Sequence, residues 1–270
     1  MEKLQAALEK ARQTRAEHVR SAPTERVLPA DHPPTSIPEL WAALPSFEVD
    51  EKHLVQNLVF TRQAGTQAAP FDILRTKVLL QMRQNGWKRL AVTSPMPRAG
   101  KTTIACNLAL SLGRQQDMCS MLFDLDLRDP SVHQFFQTRP RHSIGEVLKG
   151  DTLFADQAQC YRGNVAVSMA NRSEPDPSQL LLAEETATVL DQIEAVYKPD
   201  VMIFDLPSVL VNDDTRAFVK NVDCALIVAR SDDTRYAQFD TCERELGEQT
   251  NVLGTVLNAY RHGEKDAGGV

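Results

Sequence analysis

KRLAVTSPMPRAGKTTIACNLA, residues 88–109, joins a short apolar run to a tight turn and then to a helical pattern. Leu90, Ala91 and Val92 follow charged Lys88 and Arg89, as expected of a central strand covered on both faces. Pro95 and Pro97 stop that strand, and from Gly100 onward Ile104, Leu108 and Leu112 recur at helical spacing, with Gly113 at the end. A turn of this kind aims successive backbone N–H groups and a helix N-terminus at one point, where an anionic phosphate is stabilised. Pro97, Arg98, Ala99, Gly100, Lys101, Thr102 and Thr103 are therefore the candidate phosphate-contacting residues. Lys101 adds a point charge for the β- and γ-phosphates, and the Thr102 hydroxyl a ligand for Mg²⁺. Two residues depart from the standard pattern: Pro95 stands where it has glycine, and Arg98 sits inside the turn. If Arg98 must take a positive φ, the strain is about 1–2 kcal/mol.

The chain beyond this turn repeats strand and helix. Met118 to Phe123 reads as a second apolar strand and runs into Asp124-Leu125-Asp126-Leu127-Arg128. Carboxylates at the carboxyl end of a strand lie where ligands collect in an open parallel sheet. One of Asp124 and Asp126 is suited to Mg²⁺, and the other to taking a proton from an attacking hydroxyl. Val201 to Asp205 is a third buried strand, ending DLPS, and Asp205 joins the metal candidates Thr102 and Asp124. Asn212-Asp213-Asp214 follows at a distance suited to a nucleotide-responsive loop. Cys224 to Ala229 and Val252 to Leu257 supply further strands, with a helix from about Thr234 to Gly247 between them. Asn258, just past the last strand, is a candidate partner for an adenine edge. Helices are also expected over 70–86, 143–150 and, as one long element, 180–196, with a short strand over 165–169. Strands alternating with helices at this spacing predict an α/β fold with a doubly wound, mostly parallel sheet.

Composition excludes several classes. The net charge of −6 over 270 residues argues against a general nucleic-acid binder, which needs a basic face. No apolar run approaches the roughly 18 residues of a membrane span, and no secretory h-region precedes the domain, so a cytoplasmic protein is expected. Five cysteines, odd in number and without ligand spacing, read as reduced. Residues 1–20 have the stripe of an amphipathic helix, suited to docking on a partner or to peripheral contact with anionic lipid. Residues 21–49 are proline-rich and read as a linker, with Trp41, Leu44 and Phe47 as candidates to anchor its end. The domain proper is expected over 50–262 and a flexible tail over 263–270.

Taken together, SPMPRAGKTT, FDLDLRDPS and IFDLPS resemble the Walker A, Walker A′ and Walker B motifs, in that order, of the bacterial tyrosine kinases of capsule and exopolysaccharide assembly, the CpsD/CapB type within the MinD/ParA-like P-loop ATPases. FDILRT, SIGEVLKGD and the closing VLN extend the resemblance over roughly residues 70–260. The resemblance implies ATP and Mg²⁺ on Lys101 and Thr102, with Asp124, Asp126 and Asp205 sharing metal binding and activation of a tyrosine hydroxyl. It also implies a homo-oligomer and a partner, the cytoplasmic tail of a transmembrane polysaccharide co-polymerase or chain-length regulator, which would hold the protein at the inner face of the membrane. Met96 stands where the ParA/MinD signature lysine would fall. Ser208 replaces a family proline, only Arg75 remains of the ExxRxxR oligomerisation motif, and of a C-terminal tyrosine cluster only Tyr260 is present. Two functions therefore stand side by side: a tyrosine-kinase-like regulator of polysaccharide polymerisation and export, and a nucleotide-gated scaffold that docks on the membrane regulator without phosphorylating it. A ParA/MinD-like positioning ATPase is the third reading.

Overall fold

The computed structural model describes residues 36–260. The expected helix over 1–20, the linker as far as 35 and the tail over 263–270 lie outside the described residues. Seven strands form one sheet: β1 (Arg89–Thr93), β2 (Ser120–Asp124), β3 (Gln159–Tyr161), β4 (Val165–Ser168), β5 (Val201–Asp205), β6 (Cys224–Arg230) and β7 (Asn251–Asn258). Their order is β3-β4-β2-β5-β1-β6-β7. Every neighbouring pair is parallel except β3 with β4.

Side chains alternate across each strand, and both faces are buried. Ala91, Met121, Phe123, Met202, Phe204 and Ile227 pack on one face, under helices that include Ile144–Leu148, Glu184–Tyr197 and Tyr236–Gly247. Leu90, Val92, Leu122, Ile203, Leu226 and Val228 pack on the other, under Ala69–Asn85 and Lys101–Leu112. Helices on both faces make the sheet doubly wound, as its continuous apolar strands predict. The first face carries a chain of aromatic contacts. Phe123 stacks on Phe204 with centroids 5.0 Å apart, and Phe204 meets Phe218 at 5.1 Å.

Two expectations need correction. The end of the predicted linker is part of the domain: Ile37–Ala42 is a helix begun by Pro38 in its first turn, and the Glu39 carboxylate accepts the Ser36 N–H at 3.3 Å. Trp41 is buried and its Nε1–H donates to the Tyr197 carbonyl at 2.9 Å. Cys160 N–H donates to Pro45 O, and Phe47 N–H to Cys160 O, so this segment stitches itself beside β3 at the sheet edge. The expected anchors Trp41 and Leu44 are buried, and the proline-rich stretch before residue 50 joins the domain earlier than its composition suggests. The long helix expected over 180–196 is two helices, Pro177–Leu182 and Glu184–Tyr197, broken at extended Ala183 (ψ 144°). Glu184 and Glu185 then occupy the first turn of the second helix, where carboxylates are favoured by the helix dipole.

The upstream helix, Ala69–Asn85, ends at Gly86 with φ 71°, close to the expected stop. Its Arg75 is spent inside the chain, on Asp72 at 3.0 Å and on the Ser111 carbonyl at 3.1 Å. A buried asparagine fixes how the preceding segment meets the central helix. Asn107 accepts the Phe60 N–H at 2.9 Å and donates to Leu58 O and Thr103 O, both at 2.9 Å. Asn107→Ala leaves a part-buried backbone donor and acceptor unpaired, and is expected to lower the unfolding free energy by about 1–2 kcal/mol in urea titration. A loss below about 0.5 kcal/mol would show that water replaces these bonds.

Candidate active site

The turn after β1 is rooted in the loop after β5. Thr93 Oγ1 donates to the Pro207 carbonyl at 2.6 Å, Ser94 Oγ lies 3.1 Å from Ser208 Oγ, and Val209 N–H donates to Ser94 O at 2.9 Å. Ser208, which stands in place of a proline, is almost fully buried, so its hydroxyl is part of this root. Ser94 Oγ also lies 2.7 Å from the Met96 carbonyl, within donating distance of the turn itself.

Two residues of the turn take the left-handed conformation: Arg98 at φ 62° and Gly100 at φ 95°. Arg98 therefore carries the strain anticipated for a side chain there. Its carbonyl accepts Arg230 Nη1 at 2.8 Å, and the next carbonyl, Ala99 O, accepts Asn258 Nδ2 at 2.8 Å. Gly100 is required twice over, because a Cβ there would meet Asn258 Nδ2 at 2.2 Å. Pro97 and Arg98 are exposed, and Ala99 and Lys101 are buried. Asn258 gives one amide N–H to the turn, leaving its other N–H and its carbonyl oxygen for further partners. Arg230 was not anticipated; the one signal for it is a basic residue closing an apolar strand.

The three carboxylates collect at the carboxyl ends of β2 and β5. Asp124 and Asp205 are direct register partners on these adjacent strands, and Asp205 is also the partner of Val92 in β1. Both are fully buried. Asp124 accepts the Val132 N–H at 3.1 Å through one oxygen, while its other oxygen and both oxygens of Asp205 lack a hydrogen bond. Burial, followed by the charge of Asp205, raises the Asp124 carboxyl well above the usual carboxylate range, against the pull of the Val132 N–H. Burial pushes Asp205 up to about 7, although the Lys101 ammonium and the Thr102 hydroxyl favour its charged form. Asp126 is only half-buried at the rim. Burial raises it as well, offset by Lys101 and by the Asp129 N–H.

Orphaned acceptors in a buried pocket are what a bound cation would satisfy. Mg²⁺ suits the donor set, since it takes few protein oxygens and keeps its waters and phosphate oxygens. Thr102 Oγ1 would be the third donor of such a set, and it accepts a contact not expected from the sequence, from Ser131 Oγ at 3.4 Å. Among the described residues no group of three His, Cys, Asp or Glu side chains forms a metal cage of its own.

No family model matches the chain. A putative tyrosine-protein kinase CapB of Staphylococcus aureus is 23% identical over 202 residues, 74% of this chain and 87% of that protein. The kinase domain of the Escherichia coli tyrosine kinase ETK is 26% identical with a TM-score of 0.66, over 74% of this chain and 81% of that one. The cell-division ATPase MinD of Pyrococcus furiosus, 21% identical with a TM-score of 0.54 over 66% of this chain and 74% of that one, shares the fold. Sheet order and the turn after β1 place the chain in the fold shared by the ETK kinase domain and MinD. Within that fold the chain is similar to the bacterial tyrosine kinases.

A carboxyl whose pKa rises on folding from about 3.9 to about 7 costs stability progressively as pH climbs between those values, with the full penalty above 7. Asp205→Asn removes that cost. In the magnesium-free chain it is expected to raise the thermal midpoint more at pH 8 than at pH 5, by scanning calorimetry. Equal shifts at the two pH values contradict the reading of a buried carboxyl held above its ordinary range.

Proposed function

We propose that the chain is a kinase that moves the γ-phosphoryl group of Mg-ATP to a protein tyrosine, in the control of exopolysaccharide or capsule polymerisation and export. The observation that carries this reading is the division of labour among the carboxylates. Asp124 and Asp205 are buried and short of hydrogen bonds, whereas Asp126 stands at the rim within the field of Lys101.

In this reading Lys101 and the N–H groups of residues 97–103 hold the phosphates and neutralise charge on the transferring group. Thr102, Asp124 and Asp205 would hold a magnesium ion, which would supply charge screening for the phosphates. Asp126 accepts the proton of the tyrosine hydroxyl as its oxygen bonds to the γ-phosphorus, and the bond to the β-phosphate oxygen breaks with release of ADP. Asp124 is the weaker candidate for base, because it is sealed from the surface and already accepts the Val132 N–H. Arg230 and Asn258 hold the turn from outside, through the Arg98 and Ala99 carbonyls.

The proposed partner is the cytoplasmic tail of a transmembrane polysaccharide co-polymerase, and the proposed place is the inner face of the membrane. No helix among the described residues is long and apolar enough to cross a membrane. The tyrosine kinases among its relatives favour phosphoryl transfer over a scaffold that only docks.

Incubation with radiolabelled Mg-ATP and the partner tail should place label on tyrosine. Lys101→Met should abolish it, and Asp126→Asn should lower turnover roughly 10²–10⁴-fold while nucleotide affinity holds. Nucleotide binding without label on any tyrosine would sink the kinase reading.

A further inference from the structure

The turn that carries Asp126 is gripped from two sides by groups outside the phosphate loop. On one side Glu174 N–H donates to the Leu127 carbonyl at 2.9 Å. On the other, Arg128 reaches across the mouth of the sheet to Asp214, with Nε to one carboxylate oxygen at 2.7 Å and Nη2 to the other at 2.9 Å. This two-pronged contact fixes the guanidinium in direction as well as distance. Asp214 is fully buried, and Arg128, whose side chain is 45% exposed, is the one cation paired with it among the described residues. A buried carboxylate held by a single cation makes for a stiff link, since losing that partner leaves the charge uncompensated.

Asp214 itself sits on a firm base. Its N–H donates to Asn212 Oδ1 at 3.2 Å, and the hydroxyl of the next residue, Thr215, donates to the Pro207 carbonyl at 2.7 Å. That same carbonyl receives the Thr93 hydroxyl at the root of the phosphate turn. The two ends of the site therefore share one anchor, Pro207 O, and Arg128 extends it to the turn that carries Asp126.

We infer that the Arg128–Asp214 ion pair is a clamp that positions Asp126 against the acceptor hydroxyl, so that Arg128 and Asp214 are positioning residues for phosphoryl transfer. The inference rests on the reading of Asp126 as the proton acceptor. Without the clamp the turn at 126–129 keeps Asp126 but loses the fixed aim that proton transfer needs. A misplacement of about 1 Å can cost on the order of 10²-fold in rate.

The test uses the full chain with Arg128→Gln, Arg128→Lys, Asp214→Asn and the Gln/Asn double variant. Each is followed by hydrogen exchange without nucleotide and by steady-state transfer with varied ATP. Amides of 126–129 and 213–216 should exchange faster in both single variants while the rest of the sheet keeps its protection. Transfer should fall by up to about 10²-fold in kcat with the KM for ATP unchanged, and the double variant should be no worse than the poorer single one. Arg128→Lys, which retains the charge but not the fork, should recover only part of the loss. Wild-type exchange in 126–129 together with wild-type kcat in Arg128→Gln overturns the clamp. So does a loss that appears in KM alone, or one that tracks a global fall in the thermal midpoint. No transfer by the wild-type chain overturns the kinase reading, and the exchange measurements then decide the clamp by themselves.

Discussion

The structure turns on two carboxylates held out of water on neighbouring strands. Removing an ion from water costs several kcal/mol unless partners compensate, yet Asp124 and Asp205 face each other in register at the centre of a sheet covered on both sides. The residues just before them, Phe123 and Phe204, are also register partners and stack 5.0 Å apart. The aromatic core therefore sets the acid pair. The packing that stabilises the sheet on one side of the pleat delivers two buried carboxyl groups at its end, beside Lys101 and Thr102 of the helix that opens the other layer. Strain at functional positions is affordable only where the surroundings over-determine it. The roots through Thr93, Ser94 and Ser208 do that for the phosphate turn.

Much of this was legible in the residues. The apolar strands β1, β2, β4 and β5 are almost wholly buried, so they stand out by composition alone. Strand–helix alternation then yields the doubly wound sheet. The departures from the familiar pattern also have local reasons. Arg98 takes the positive φ that the turn demands, and the carbonyl so presented is held by Arg230. Ser208 replaces a rigid residue with a hydroxyl that hydrogen-bonds across to Ser94.

What stayed hidden depends on contacts between residues far apart in sequence. Asn258 lies 159 positions from the Ala99 carbonyl it holds, and nothing near it in sequence says that its amide reaches the turn. Arg128 and Asp214 are 86 positions apart, each plausible alone as a solvated charge. The stretch before residue 50 misleads for a different reason. Proline is counted as a breaker of regular structure, while one buried tryptophan and a backbone exchange with Cys160 are enough to tie that stretch to the domain. The split at Ala183 is similar, because a helical apolar pattern runs on through a residue whose backbone is extended.

All of this rests on the site at the head of β1, β2 and β5 gripping a nucleotide together with a divalent cation, so that the buried acids gain the partner their surroundings withhold. Calorimetric titration of the chain with ATP, in magnesium and again in excess chelator, tests it most directly. The account predicts saturable uptake of one nucleotide per chain in magnesium and a marked loss of affinity without it. Absence of binding in magnesium, or an affinity indifferent to the metal, would contradict it.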